Sequence, residues 1–156
     1  MSTFRSVAIN VVSSIALWVA ADGVFASERF VLITPEEAQA SAKGPGLFVA
    51  RSLPNPAAPV IEVLSPDLKS PIAAPVPIRL RFKGAAPGEP KPESFKALYG
   101  SFRIDITDRL RKRATITKAG LELSGADIPS GRHQIVMSIE DTAGRRVEQV
   151  VTFEVE

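Results

Sequence analysis

From Pro59 to the last residue, apolar and polar side chains take turns in short runs divided by proline and glycine. A period of two belongs to strands with one buried face, because successive strand residues point to opposite sides. Val76, Ile78, Leu80 and Phe82 share one side of such a run, with Pro77, Arg79, Arg81 and Lys83 on the other. Phe102, Ile104 and Ile106 alternate with Arg103 and Asp105; His133, Ile135, Met137 and Ile139 alternate with Arg132, Gln134, Ser138 and Glu140. Val147, Val151, Phe153 and Val155 stand against Glu148, Thr152 and Glu154, after an Asp141-Thr142-Ala143-Gly144 joint short enough for a hairpin. Val60–Leu64, Phe95–Tyr99 and Gly120–Ser124 add weaker runs. About seven short strands with frequent turns predict an all-β, antiparallel two-sheet sandwich over residues 59–156.

The amino terminus has a different character. Arg5 precedes the mostly apolar stretch Val7–Ala21, and Val24-Phe25-Ala26 supplies small residues at the positions that signal peptidase reads. Residues 1–26 therefore predict a signal peptide cut before Ser27, and an exported protein, periplasmic or secreted. Asn10, Ser13, Ser14 and Asp22 interrupt the run, which argues against a retained membrane span. The chain has no cysteine, so packing alone must hold the exported domain. Loss of Arg5 and Asp22 together leaves the net charge of +2 unchanged, an excess too small to indicate nucleic acid.

Between signal and sandwich, Thr34-Pro35-Glu36-Glu37 offers an N-cap, a proline at the first helical position and a capping-box glutamate. A short helix to about Ala42 is expected. Lys43-Gly44-Pro45-Gly46 ends it, and Pro54, Pro56 and Pro59 among alanines make Gly44–Ala58 read as a linker. Residues 27–58 thus form a helix-and-linker region ahead of the sandwich. A helical turn is also expected over Thr107–Ala114, capped by Thr107 or Asp105 and anchored by Leu110.

Ile128-Pro129-Ser130-Gly131-Arg132-His133 and Asp141-Thr142-Ala143-Gly144-Arg145, with the opening Val63-Leu64-Ser65-Pro66, resemble the corners and final hairpin of bacterial immunoglobulin-like domains. The resemblance covers about Pro59 to Glu156 and implies an immunoglobulin-like sandwich. His133 stands where that family usually has a tyrosine whose hydroxyl bonds back to the corner. The resemblance concerns corners rather than chemistry, and a fold does not specify a function.

Little catalytic chemistry is legible. His133 is the single histidine, it lies on the apolar side of its run, and no Gly-x-Ser-x-Gly elbow surrounds a serine. The expected catalytic, cofactor and metal residues are accordingly none. Exported copper-resistance sandwiches are similar in size and strand order, so a periplasmic metal-handling protein is the main alternative. They use several histidines, whereas this chain offers one, with Met137 four residues away. Asp105, Asp108, Glu140 and Asp141 supply oxygens without the alternating acidic loop of a strong calcium motif; capping and turn roles explain them.

The most suggestive surface feature is the basic run Arg109, Arg111, Lys112, Arg113, with Lys118 beyond it. Together with Tyr99, expected near a loop tip, Arg109, Arg111, Lys112 and Arg113 are the candidate contacts to a partner, a protein or an anionic envelope component. The expected function is a non-catalytic interaction module of the bacterial cell envelope; a structural spacer is the third reading. The sequence does not indicate an oligomeric state.

Overall fold

The computed structural model describes residues 29–46 and 55–156. The expected signal peptide and the middle of the expected linker lie outside these residues. Eight strands form two antiparallel four-stranded sheets, the all-β sandwich that the alternation predicts. In chain order the elements are α1 (Pro35–Lys43), β1 (Val60–Ser65), β2 (Val76–Lys83), β3 (Pro90–Tyr99), β4 (Ile104–Asp105), α2 (Thr107–Arg113), β5 (Thr115–Thr117), β6 (Gly120–Ala126), β7 (Gly131–Asp141) and β8 (Arg146–Val155). One sheet runs β1-β2-β6-β5 and the other β4-β3-β7-β8. Each is built from two hairpins whose inner strands pair, so β2–β6 and β3–β7 bind sequence-distant parts of the chain together.

Alternation places the greasy residues between the sheets. Ile61, Val76, Leu80, Phe82, Leu121 and Leu123 face Phe95, Ile135, Met137, Ile139, Val151 and Phe153 in one buried cluster. Phe82 and Phe95 link the layers with ring centroids 5.5 Å apart. On the outer side of the first sheet, Arg79 pairs with Glu122, while Arg81 and Lys83 both reach Glu62. The outer side of the second carries an apolar row, since Leu98, Val136 and Val150 are cross-strand partners on β3, β7 and β8.

The β7–β8 joint shows why its sequence turns. The Asp141 carboxylate accepts the N–H groups of Ala143 and Arg145, both at 2.9 Å, and the Arg145 Nε at 2.7 Å, while Gly144 takes a positive φ of 76°. Burial alone would raise the Asp141 pKa, but the Arg145 and Ala143 N–H groups and the Arg145 guanidinium hold it below its ordinary value.

One expected strand is corrected. Phe102 does not continue the apolar face of Ile104 and Ile106; it is 62% exposed. Gly100 at φ 64° and Arg103 at φ 51° turn the chain there, and the Arg103 N–H closes on the Gly100 carbonyl at 3.0 Å. That turn leaves only Ile104–Asp105 to pair as β4. The short β5 did not announce itself in the sequence, because Thr115-Ile116-Thr117 is too brief for a period to register.

α1 forms where expected. The Thr34 hydroxyl accepts the Glu37 N–H and the Glu37 carboxylate accepts the Thr34 N–H, so both halves of the capping box are present. The segment before it docks on the sandwich. Val31 bridges Asp127 in parallel, the Leu32 N–H donates to the Asp127 carbonyl at 3.1 Å, and Leu32 and Ile33 are fully buried.

Candidate interaction site

α2 is seeded by its first turn. The Asp105 carboxylate accepts the Thr107 N–H at 2.9 Å, and Thr107 and Leu110 are the buried residues that seat the helix. The Thr107 hydroxyl and backbone N–H hold the Asp105 carboxyl below its ordinary pKa. Seven residues then carry the basic run around the helix, and the structure divides that run by role.

Arg109 turns inward to α1. Its Nη1 and Nη2 atoms meet the two Glu37 carboxylate oxygens at 2.7 Å each, and Nη1 also donates to the Leu32 carbonyl at 3.1 Å. This two-point pair lowers the Glu37 pKa and raises that of Arg109. Arg109 is thus a clamp between α2 and the amino-terminal segment, with its side chain still 36% exposed. Arg111 donates from Nη2 to the Glu93 carbonyl at 2.7 Å and the Phe95 carbonyl at 3.3 Å, tying α2 to β3 while remaining exposed. Lys112 and Arg113 are exposed beside it, and Lys118 pairs with Glu89 at 2.6 Å.

Tyr99 is not at a loop tip. It ends β3 with 1% of its surface exposed, so it is removed from the candidate contacts. Its hydroxyl lies 2.9 Å from His133 Nδ1, and His133 Nε2 lies 2.7 Å from the Pro129 carbonyl oxygen. A carbonyl only accepts, so Nε2 carries the proton and Nδ1 accepts from the Tyr99 hydroxyl. The imidazole thus ties the start of β7 to the Pro129 corner. Burial holds the His133 pKa below its ordinary value, against the Pro129 bond that would raise it. Burial likewise raises the Tyr99 pKa, opposed by a hydrogen bond from Ser41 of α1.

With both nitrogens engaged and 2% of its surface exposed, His133 is positioned as part of the core. Among the described residues, no group of three or more histidine, cysteine, aspartate or glutamate side chains is arranged to hold a metal ion. Asp105 and Asp141 have the capping and turn contacts described above, and Glu140 pairs with Lys91 at 3.2 Å.

Hollows flank α2. One, of about 750 Å³, lies between Arg29 and Phe30, the Ala74-Pro75 turn, Leu123–Gly125 of β6, and Arg113 at the end of α2. Phe30, Pro75 and Leu123 give it apolar walls; Arg29 and Arg113 give it two cations from separate parts of the chain, against one carboxylate, Asp127. Another, of about 450 Å³, is bordered by Pro92, Glu93, Arg111, Ala114 and Ile116. No local motif marks either hollow. Arg29 and Phe30 reach the first through the docking of the amino-terminal segment, which no local pattern in the sequence encodes, while Pro75 reaches it from the turn before β2.

Among the described residues no helix is long and apolar enough to cross a membrane. No protein-family profile matches the chain, and no curated protein matches it. Among solved structures, the chain is similar to CopC from Methylosinus trichosporium OB3b, with 18% identity, a TM-score of 0.41, and coverage of 62% of this chain and 94% of that one.

Proposed function

We propose that the chain is an exported, immunoglobulin-like module that acts by contact rather than by catalysis, gripping an acidic and partly apolar segment of an envelope protein beside α2. The observation that carries this reading is the hollow of about 750 Å³, where two arginines outnumber the one carboxylate, Asp127, around apolar walls, and exposed Lys112 directly precedes Arg113 on α2. Apolar surface supplies affinity, and like-signed cations select acidic partners and speed their approach. The immunoglobulin-like assignment is supported by the interlocked hairpins and by the His133–Pro129 corner bond. Export rests on the composition of residues 1–26, and is tested by the intact mass of protein recovered from its own envelope, which is expected to begin at Ser27.

The binding test uses a fluorescent peptide alternating glutamate and leucine, with a lysine–leucine peptide as control. Anisotropy is expected to report binding of the acidic peptide alone, weakened at least tenfold by Lys112→Glu with Arg113→Glu and weakened by added salt. Equal binding of both peptides, or binding indifferent to the double variant, overturns the proposal. Arg109 and Arg111 are left unaltered because both hold α2 in place.

A further inference from the structure

We infer that two copies of this chain join through the free edge of β8, pairing antiparallel about a two-fold axis at Gln149. The four sheet edges differ. β4 and β5 span two and three residues, and β1 carries a register shift between Val63 and Ser65. β8 is ten residues long and pairs with β7 in unbroken register from Arg146 to Val155. Long, regular edges are the ones that accept another strand, and proteins usually blunt them.

One part of the β8 edge is covered. Ile72 bridges Val155 in parallel, its N–H donating to the Glu154 carbonyl at 2.9 Å and its carbonyl accepting the Glu156 N–H at 3.0 Å. These bonds also reveal the strand's polarity. Even-numbered residues of β8 direct N–H and C=O away from β7, since an antiparallel ladder alternates inward and outward pairs. Arg146, Glu148, Val150 and Thr152 therefore present backbone donors and acceptors to the open side, and among the described residues no strand pairs with them.

The covered end fixes the register. The available edge runs over residues 146–152, and its midpoint is Gln149, so only an axis there pairs its full length. Glu148 then bonds Val150 of the second copy and Arg146 bonds Thr152, all even-numbered as the polarity requires. On the outer face, Arg146 comes diagonally opposite Glu154 of the second copy, within reach of long side chains. Half-buried Val150, the end of the row of Leu98 and Val136, then lies directly opposite Glu148 of the second copy and diagonally opposite its Val150. Inside, Val147 meets Val151 of the second copy, and the two Gln149 residues face each other as a non-hydrogen-bonded pair, with Cα atoms about 4.5 Å apart.

The absence of cysteine makes the test clean. Sedimentation of the full chain across roughly a hundredfold range of concentration is expected to show dimer increasing by mass action. Val150→Pro removes an outward N–H that β7 does not use, and is expected to raise the dimer dissociation constant at least tenfold with the fold retained. Gln149→Cys is expected to form an intermolecular disulfide under mild oxidant, since about 4.5 Å lies within the reach of such a bond. Glu122→Cys, on the outer face of the other sheet, is expected to form none. A chain that stays monomeric throughout, or a dimer that survives Val150→Pro and gives no Gln149→Cys disulfide, overturns the inference. If Val150→Pro fails to fold, the disulfide comparison decides alone.

Discussion

Protonating His133 asks Nδ1, which now accepts a hydrogen bond from the Tyr99 hydroxyl, to carry a proton in a layer bordered by Phe153, whose ring centroid lies 5.5 Å from the imidazole. Burial makes the folded state resist that proton, so the folded pKa lies below the unfolded value of about 6.5. The unfolded chain therefore binds more protons between the two values. The stabilisation is complete above the unfolded pKa and is lost as pH falls through the folded one. Urea unfolding is expected to show stability falling from pH 7.5 toward 5.5, with the slope flattened in His133→Gln. Tyr99→Phe is expected to cost about 1 to 3 kcal/mol in the same measurement, because it leaves the buried Nδ1 without its donor.

At the scale of elements, α1 is held by polar contacts, with none of its own residues buried. The Glu37–Arg109 pair, with side chains 16% and 36% exposed, is the ion pair among those contacts, and Ser41 adds two hydrogen bonds with Ser101. Arg109→Ala removes hydrogen bonds from a charged group to Glu37 and to the Leu32 carbonyl, and is expected to lower stability by about 2 kcal/mol. Trypsin is expected to cut after Lys43 sooner in that variant than in the parent, and equal rates would show that the pair does not govern docking. The helix itself was legible because a capping box is written in four adjacent residues, Thr34 to Glu37. Its destination was not, since Arg109 lies 72 positions from Glu37 and neither residue type advertises the other. The strand faces were legible through their period and Asp141 through its turn chemistry. Phe102 was misjudged because the positive φ at Arg103, a residue type that rarely adopts it, broke a run whose composition looked continuous. Of the candidate contacts, Lys112 and Arg113 are exposed whereas Arg109 is clamped to Glu37 and Tyr99 is buried against His133, and those differences belong to the folded chain.

For the molecule as a whole, the sandwich core is not confined to the strands. Leu32 and Ile33, ahead of α1, contribute two fully buried side chains, each worth about 1.5 to 3 kcal/mol by burial. A chain shortened to begin at Gly44 is expected to melt at a distinctly lower temperature, and an unchanged melt would mean that the strands suffice by themselves. The same docking has a consequence in time. A ribosome releases Leu32 long before Arg109, 77 positions later, is made to receive its carbonyl, and Asp127 follows later still. During that interval Leu32 and Ile33 have no home, and the sandwich cannot close over them. If the chain is exported through a translocation pore, as proposed above, such enforced lateness keeps it slack until Asp127 is made.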